Sequence, residues 1–379
     1  MTHGPGLSLL GDVRVADFSH ALSGPYCTLL LADLGADVVK IEPPSGDQSR
    51  GWGPPFVGPD SLYFASVNRS KRSVVLDLKT EAGRAQALEI VSRSDVMLEN
   101  WAPGTAERLG LGADEVRARN PGLVYCSISG FGKDADAGMG YDQVVQGTSG
   151  VMSLTGAEGH PTKVGIPVAD LSSGMFAALA VLGALLEVRR TGTGRTIDVS
   201  MHDSMVALLT YQAAIALNTG EAPRASGNGH PSITPYGVYE TADGRFNLCV
   251  GTDAQFRRLC HALLGSEVAQ DPRFATNATR CAHRDALEGL IDQTVGVLTT
   301  AAVLDLLAEA RVPAGPVRPL HQTLADPLLR RRDMVLGYRD EASTEALVIN
   351  SPWKFDGRAP TLRRPPPRLG ADTRAVLDV

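Results

Sequence analysis

Short apolar runs alternate with stretches of helical period through the first 130 residues, the signature of a parallel sheet covered by helices. Val13 to Phe18 reads as a strand, and Pro25 to Leu34 as a helix with proline in its first turn and Gly35 just past its end. Asp37 to Ile41 and Ser73 to Leu78 read as further strands, Thr80 to Ser92 as a helix, and Val96 to Glu99 and Leu123 to Ser129 as strands again. The layout predicts a Rossmann-like α/β domain. Near the middle, the apolar run Lys163 to Ala169 reads as a strand ending at Asp170. After Leu171-Ser172-Ser173-Gly174, twelve nearly unbroken apolar residues from Met175 to Leu186 predict a buried helix.

A break at Asn218 to Pro235 separates a helical stretch, Met201 to Leu217, from a hairpin expected over Tyr236 to Val250 with its turn at Ala242-Asp243-Gly244. Helical patterns from Asp253 to Ala310 complete a smaller α+β domain, and the tail ends in the proline-rich Pro360 to Pro367, expected to pack back on the first domain. The chain of 379 residues exceeds what one core serves. It divides into a large domain over 1–220, a small one over 221–330 and a return to the large domain over 331–379.

Composition narrows the function classes. A net charge of -6 argues against nucleic acid as a partner. Cys27, Cys126, Cys249, Cys260 and Cys281 form no C-x-x-C pair, so neither a disulfide framework nor a metal site is expected, and buried thiols suit a cytoplasmic protein. The first residues lack the pattern of a secretory signal. A run of twelve apolar residues is shorter than the roughly twenty that cross a bilayer, so no membrane association is expected.

Asp170 is the most informative residue and has two readings. Aspartate is a common helix N-cap, and it is also what a carboxylate nucleophile looks like where a helix start can hold it ionised and stabilise an oxyanion beside it. Arg50, Arg69, Lys71 and Arg72 cluster about a strand entry, either as a phosphate clamp or as solvated cations protecting an edge. Gly130-Phe131-Gly132-Lys133-Asp134-Ala135 loosely fits a dinucleotide fingerprint, but no amphipathic helix follows, so it reads as a loop wall. The Gly- and Pro-rich loop Pro43 to Pro59 is long enough to suggest function. His20, in the first strand-to-helix loop, is a candidate for lining a site. No P-loop, H-E-x-x-H or G-x-S-x-G motif occurs.

Several segments carry a more specific signal together than any does alone. They are Val15 to Pro25, Leu34 to Glu42, Asn68 to Asp77, Glu99-Asn100-Trp101-Ala102-Pro103-Gly104, Gly140-Tyr141-Asp142, Thr148-Ser149-Gly150, the Asp170 segment and Gly227-Asn228-Gly229-His230-Pro231. In this order they resemble the family III CoA-transferases of CaiB/BaiF type, the group that includes formyl-CoA transferase and carnitine CoA-transferase. The resemblance implies a large and a small domain with the chain returning to the large one, and two subunits threaded through each other as an interlocked homodimer. It implies Asp170 as nucleophile, acyl-CoA and a small carboxylic acid as substrates, and no permanent cofactor. CoA would pass Ser23 near the pantetheine end, Lys71 and Arg72 near the nucleotide phosphates, and Asn100 and Arg108 along the way, with Tyr141 close to the thioester. The glycine-bearing loop Gly227 to Gly229 would serve as a cover.

Two departures bear on the substrate. Leu22 stands where a site glutamine is expected and no run of four glycines is present, which speaks against oxalate and formate. Family membership suggests succinyl-CoA as donor and itaconate, mesaconate, malate or glutarate as acceptor. An α-methylacyl-CoA racemase is the nearest rival, but its histidine position holds Tyr141, and an unperturbed phenol titrating near ~10 is a poor α-proton base. A non-catalytic CoA-binding protein is the third reading.

Overall fold

The computed structural model describes residues 7–133, 138, 140–339 and 344–377. Two compact units emerge: one takes the residues up to Met152, Lys163–Ala222 and those from Pro327 onward, the other Ser153–Thr162 and Pro223–Asp326.

In the first unit, β1 (Arg14–Asp17), β2 (Asp37–Glu42), β3 (Arg72–Val75), β4 (Val96–Glu99), β5 (Val124–Ser129) and β6 (Thr196–Ser200) form one sheet in the order β3-β2-β1-β4-β5-β6. Every pairing is parallel. Successive side chains of a strand enter opposite cores. Val15, Val96 and Leu98 pack with Leu31 of α1 (Ser23–Asp33), whereas Ala16 and Met97 pack with Ile90 and Val91 of α3 (Glu81–Ser92). Strands buried on both faces read as continuous apolar runs, which is why their sequence signal is strong. The order reverses between β1 and β4. In such sheets that reversal opens a crevice beyond the carboxyl ends of the two strands.

Other helices of this unit include α2 (Leu62–Asn68), α4 (Asp142–Thr148), α5 (Val168–Thr191), α6 (Met201–Leu208) and α7 (Thr210–Thr219). Three expectations need correction. Lys163 to Pro167 is not a strand: Gly165 and Pro167 interrupt it, and proline has no N–H for a ladder. The helix at Met201 to Leu217 is two helices, broken where Thr210 takes φ 42°. At 24 residues α5 is long and apolar enough to cross a membrane, so the limit drawn from twelve apolar residues does not hold. In this fold its buried face, with Ala177, Val181 and Leu185, belongs to the core.

The proline-rich tail straps the first unit. Arg363 donates from its guanidinium to the carbonyls of Ala32, Gly35 and Ala36 at 2.6–3.0 Å, where a cation suits the carboxyl end of α1. The Ser70 amide donates to the Arg364 carbonyl at 2.9 Å.

In the second unit, β7 (Tyr236–Glu240), β8 (Arg245–Cys249) and β9 (Ala314–Pro316) form an antiparallel sheet in the order β9-β8-β7. Its core joins Phe246 and Leu248 to Leu287 and Ile291 of α8 (Arg284–Val295) and Val303 and Leu307 of α9 (Thr300–Glu309).

Candidate active site

A cleft of about 570 Å³ lies at the β1/β4 reversal, and His20, Ser23, Asn100, Trp101, Tyr141 and Asp170 are among its lining residues. Asp170 is the third residue of α5, behind Pro167 at the cap position. It is therefore neither the N-cap nor the end of a strand. What places it is a clamp from α4. The Ala169 amide donates to Asp142 Oδ1 at 2.9 Å, Gln146 Nε2 donates to Asp142 Oδ2 at 2.7 Å, and the Val164 amide donates to Gln146 Oε1 at 2.8 Å.

The electrostatics of Asp170 also differ from expectation. Burial, with the Asp142 charge added, pushes its pKa up to about 7, against the lowering effect of the Ser23 backbone N–H. Ser23 opens α1, so its amide has no partner within that helix and is free to point at an anion. Gly174, one turn beyond Asp170, allows the two helices to meet: a Cβ there would stand 2.6 Å from the Ser23 carbonyl oxygen. The stabilising N–H thus comes from the facing helix. Its effect does not hold the carboxylate ionised; Asp170 exchanges its proton near neutrality.

Ser23, Asn100 and Tyr141 border the cleft with Asp170, and Tyr141 is 53% exposed. Arg108 is exposed, outside the cleft lining, and donates to Thr105 Oγ1 at 2.7 Å. The cation cluster is neither a free clamp nor a solvated edge. Lys71 is buried, with Nζ donating to Asp17 Oδ2 at 3.1 Å and to the Pro25 carbonyl and Asn68 Oδ1 at 2.9 Å each. Burial lowers its pKa to about 8 despite the Asp17 charge. Arg72 pairs with Asp37, Arg69 with the equally buried Asp33, and Arg50 with Glu42 and Asp60. These cations stitch strands, helices and tail together, a role that no local pattern reveals.

His20 is kept toward its neutral form by burial and by Lys40, and Trp101 Nε1 donates to its Nε2 at 3.3 Å. Sequence reasoning missed Asp142 as a site residue, together with Gln48, Trp52 and Tyr63, which also border the cleft. The long loop at Pro43 to Pro59 was the signal for Gln48 and Trp52, and the Gly140-Tyr141-Asp142 segment was the signal for Asp142. Burial and then the charges of Asp170, Asp142 and Asp47 push the Tyr63 phenol up to about 12, so it stays a hydrogen-bond donor. Its ring meets Trp52 edge-on at 5.0 Å. Gly130 and Gly140 form the expected loop wall, so closely opposed that a Cβ on Gly130 would lie 2.5 Å from the Gly140 Cα. Asp134 to Ala137 and Met139 lie outside the described residues. Gly227 to Gly229 belong to the second unit, with Gly227 at φ 58°.

The profile of CoA-transferase family III matches residues 10–373. The chain belongs to that family. It is 38% identical over 378 residues to the succinate–glutarate CoA-transferase of Agrobacterium fabrum, covering 97% of this chain and 94% of that one. It is 40% identical over 356 residues to the acetyl-CoA:oxalate CoA-transferase of Acetobacter aceti, covering 93% and 90%. The crystal structure of a CaiB/BaiF family protein from Brucella suis superposes with a TM-score of 0.86 at 36% identity, covering 98% of this chain and 99% of the other. This family III CoA-transferase therefore presents, at its sheet reversal, a half-buried aspartate with a raised pKa facing a helix N–H.

Proposed function

We propose that the enzyme moves CoA from an acyl-CoA donor to a small carboxylic acid through covalent intermediates on Asp170. The observation that carries this reading is the Asp170 carboxylate set against the Ser23 amide in the cleft. The ionised carboxylate attacks the donor thioester carbonyl, forming a mixed anhydride and releasing CoA thiolate. The thiolate attacks the Asp170 carbonyl of the anhydride, which frees the donor acid and leaves an aspartyl-CoA thioester. The acceptor carboxylate attacks that thioester to form a second anhydride, and the returning thiolate attacks its acyl carbonyl, regenerating Asp170. Energy of the thioester is held on the protein throughout. Water must be kept out of such a sequence.

Ser23 is the residue proposed nearest the reacting carbonyl, its N–H stabilising charge on oxygen. Tyr141 is proposed beside the thioester, and Arg108 as a contact for the rest of CoA, whereas Arg72 is held by Asp37. Lys71 is withdrawn from direct phosphate contact because its Nζ is buried and already donates to three oxygens. Gln48, Trp52, Tyr63 and Gln143 are neutral donors that border the cleft, and they suit a small polar acyl group such as that of a dicarboxylate. Succinyl-CoA with glutarate or mesaconate is the first pair to assay, and no α-proton exchange into deuterated water should accompany transfer.

Because the nucleophile is the deprotonated form, activity should fall as pH drops through about 7. Replacing Asp142 by Asn keeps an oxygen for the Ala169 N–H and removes the charge. The acid limb of the kcat/KM profile should then move to lower pH; an unmoved limb would show that the Asp142 charge does not act on Asp170. A homodimer is also proposed, since α5 leaves Met175, Leu179 and Leu186 exposed at 49%, 66% and 69%, and α7 leaves Leu217 exposed at 84%. Light scattering should give twice the chain's 40.0 kDa, and a monomer at micromolar concentration would contradict this.

A further inference from the structure

Asn100 is the first residue beyond β4, opposite the loop that leaves β1, so it spans the point where the sheet order reverses. Its side chain is spent on that loop. The His20 amide donates to Asn100 Oδ1 at 2.8 Å, while Nδ2 donates to the His20 carbonyl at 2.9 Å and to Ser23 Oγ at 3.3 Å. Both hydrogens of Nδ2 are used, leaving no donor for a ligand. Between His20 and Ser23, Ala21 has φ 62°, a left-handed conformation that a residue with a side chain adopts only under strain. The turn is pinned on both sides, by Asn100 at His20 and by Asp47 Oδ1, which accepts from the Ala21 amide at 3.3 Å. What the turn achieves is the start of α1, with the Ser23 N–H on Asp170.

We propose that Asn100 is a positioning residue for CoA transfer, acting through the His20–Ser23 turn on Asp170 rather than by contacting CoA. The proposal rests on the reading of Asp170 as nucleophile. Among the described residues, the charged and titratable groups around Asp170 include Asp142 on α4 with Tyr141 before it, Tyr63 on α2, Tyr26 on α1 and His20 in the loop. His202 and Asp203 open α6, beside the lining residue Met201. None of these is exchanged in the variant below, so a shift reports on the turn.

The test compares wild type with Asn100→Ala and Asn100→Asp, the latter keeping an oxygen for the His20 amide while losing both donors. Transfer between succinyl-CoA and glutarate, CoA affinity by calorimetry, and the pH dependence of carbodiimide labelling at Asp170 are measured on each. For Asn100→Ala the expected result is a kcat lower by about 10- to 100-fold, with the KM for acyl-CoA and the Kd for CoA within about threefold of wild type. For Asn100→Ala the labelling midpoint should move to higher pH as the lowering N–H is loosened, and the kcat of Asn100→Asp should fall between. A tenfold rise in KM and Kd with kcat and the labelling midpoint unchanged would overturn the proposal and make Asn100 a CoA contact. Labelling does not need turnover, so the position of Asn100 is tested even if Asp170 proves not to be the nucleophile. Should Asn100→Ala fail to fold, Asn100→Asp decides through the split between kcat and the KM and Kd for CoA, since its added carboxylate would itself raise the labelling midpoint.

Discussion

Replacement of Asp170 by Asn is expected to lower CoA transfer by about 10³-fold or more, since the group that carries the intermediate is gone while the cleft keeps its shape. The loss should appear in kcat and not in CoA affinity, which calorimetry reads directly. Folding should not suffer. A carboxyl whose pKa is raised on folding contributes its stability below its unfolded value near 4 and loses it as pH rises through about 7. The amide, which never ionises, should therefore leave the protein about as stable as wild type near pH 4 and more stable at pH 8. A thermal melt at both pH values checks this; a variant that melted earlier at pH 8 would show that Asp170 has a structural role, as the N-cap reading would require.

The second large effect concerns stability. Arg69 and Asp33 are an ion pair with both side chains removed from solvent, and Asp33 also accepts from Ser351 Oγ at 2.6 Å, which ties α1 to the tail. Arg69→Met leaves a buried carboxylate without its cation and should cost about 3–5 kcal/mol, a fall in Tm of roughly 10 °C. Adding Asp33→Leu should recover most of the loss, because a hydrophobic pair of similar volume removes the uncompensated charge. Calorimetric melts of the single and double variants decide the matter. If Arg69→Met raised the KM for acyl-CoA and left Tm in place, the residue would be a phosphate contact, as its position in the Asn68 to Ser73 cluster had suggested.

The contrast between these two residues shows what the sequence made legible. The β-strands buried on both faces were readable because burial demands unbroken apolar runs, and β4 was read at Val96 to Glu99 as it stands. β6 escaped because Thr196–Ser200 is short and half exposed and runs directly into α6, with Ser200 as its N-cap. Asp170 was found through its company, but its immediate surroundings were misread. The apolar residues before it suggested a strand, whereas Gly165 and Pro167 prevent one and Asp142 and Gln146, some 20 positions away, hold the segment by hydrogen bonds. The cluster at Arg69 to Arg72 was misread for a related reason. Whether a cation faces solvent or a carboxylate depends on Asp33, Asp17 and Asp37, which reach it only through the tertiary fold. Long-range pairing of charges leaves no local pattern.

The covalent intermediate is the central claim, and trapping it is the most direct test. The enzyme is incubated with succinyl-CoA without acceptor, treated with hydroxylamine, digested and analysed by mass spectrometry. The account predicts a hydroxamate on the peptide that contains Asp170, formed only when acyl-CoA is present and absent from Asp170→Asn. Efficient CoA transfer by an enzyme that yields no hydroxamate at Asp170, or that yields it at another carboxylate, would contradict it.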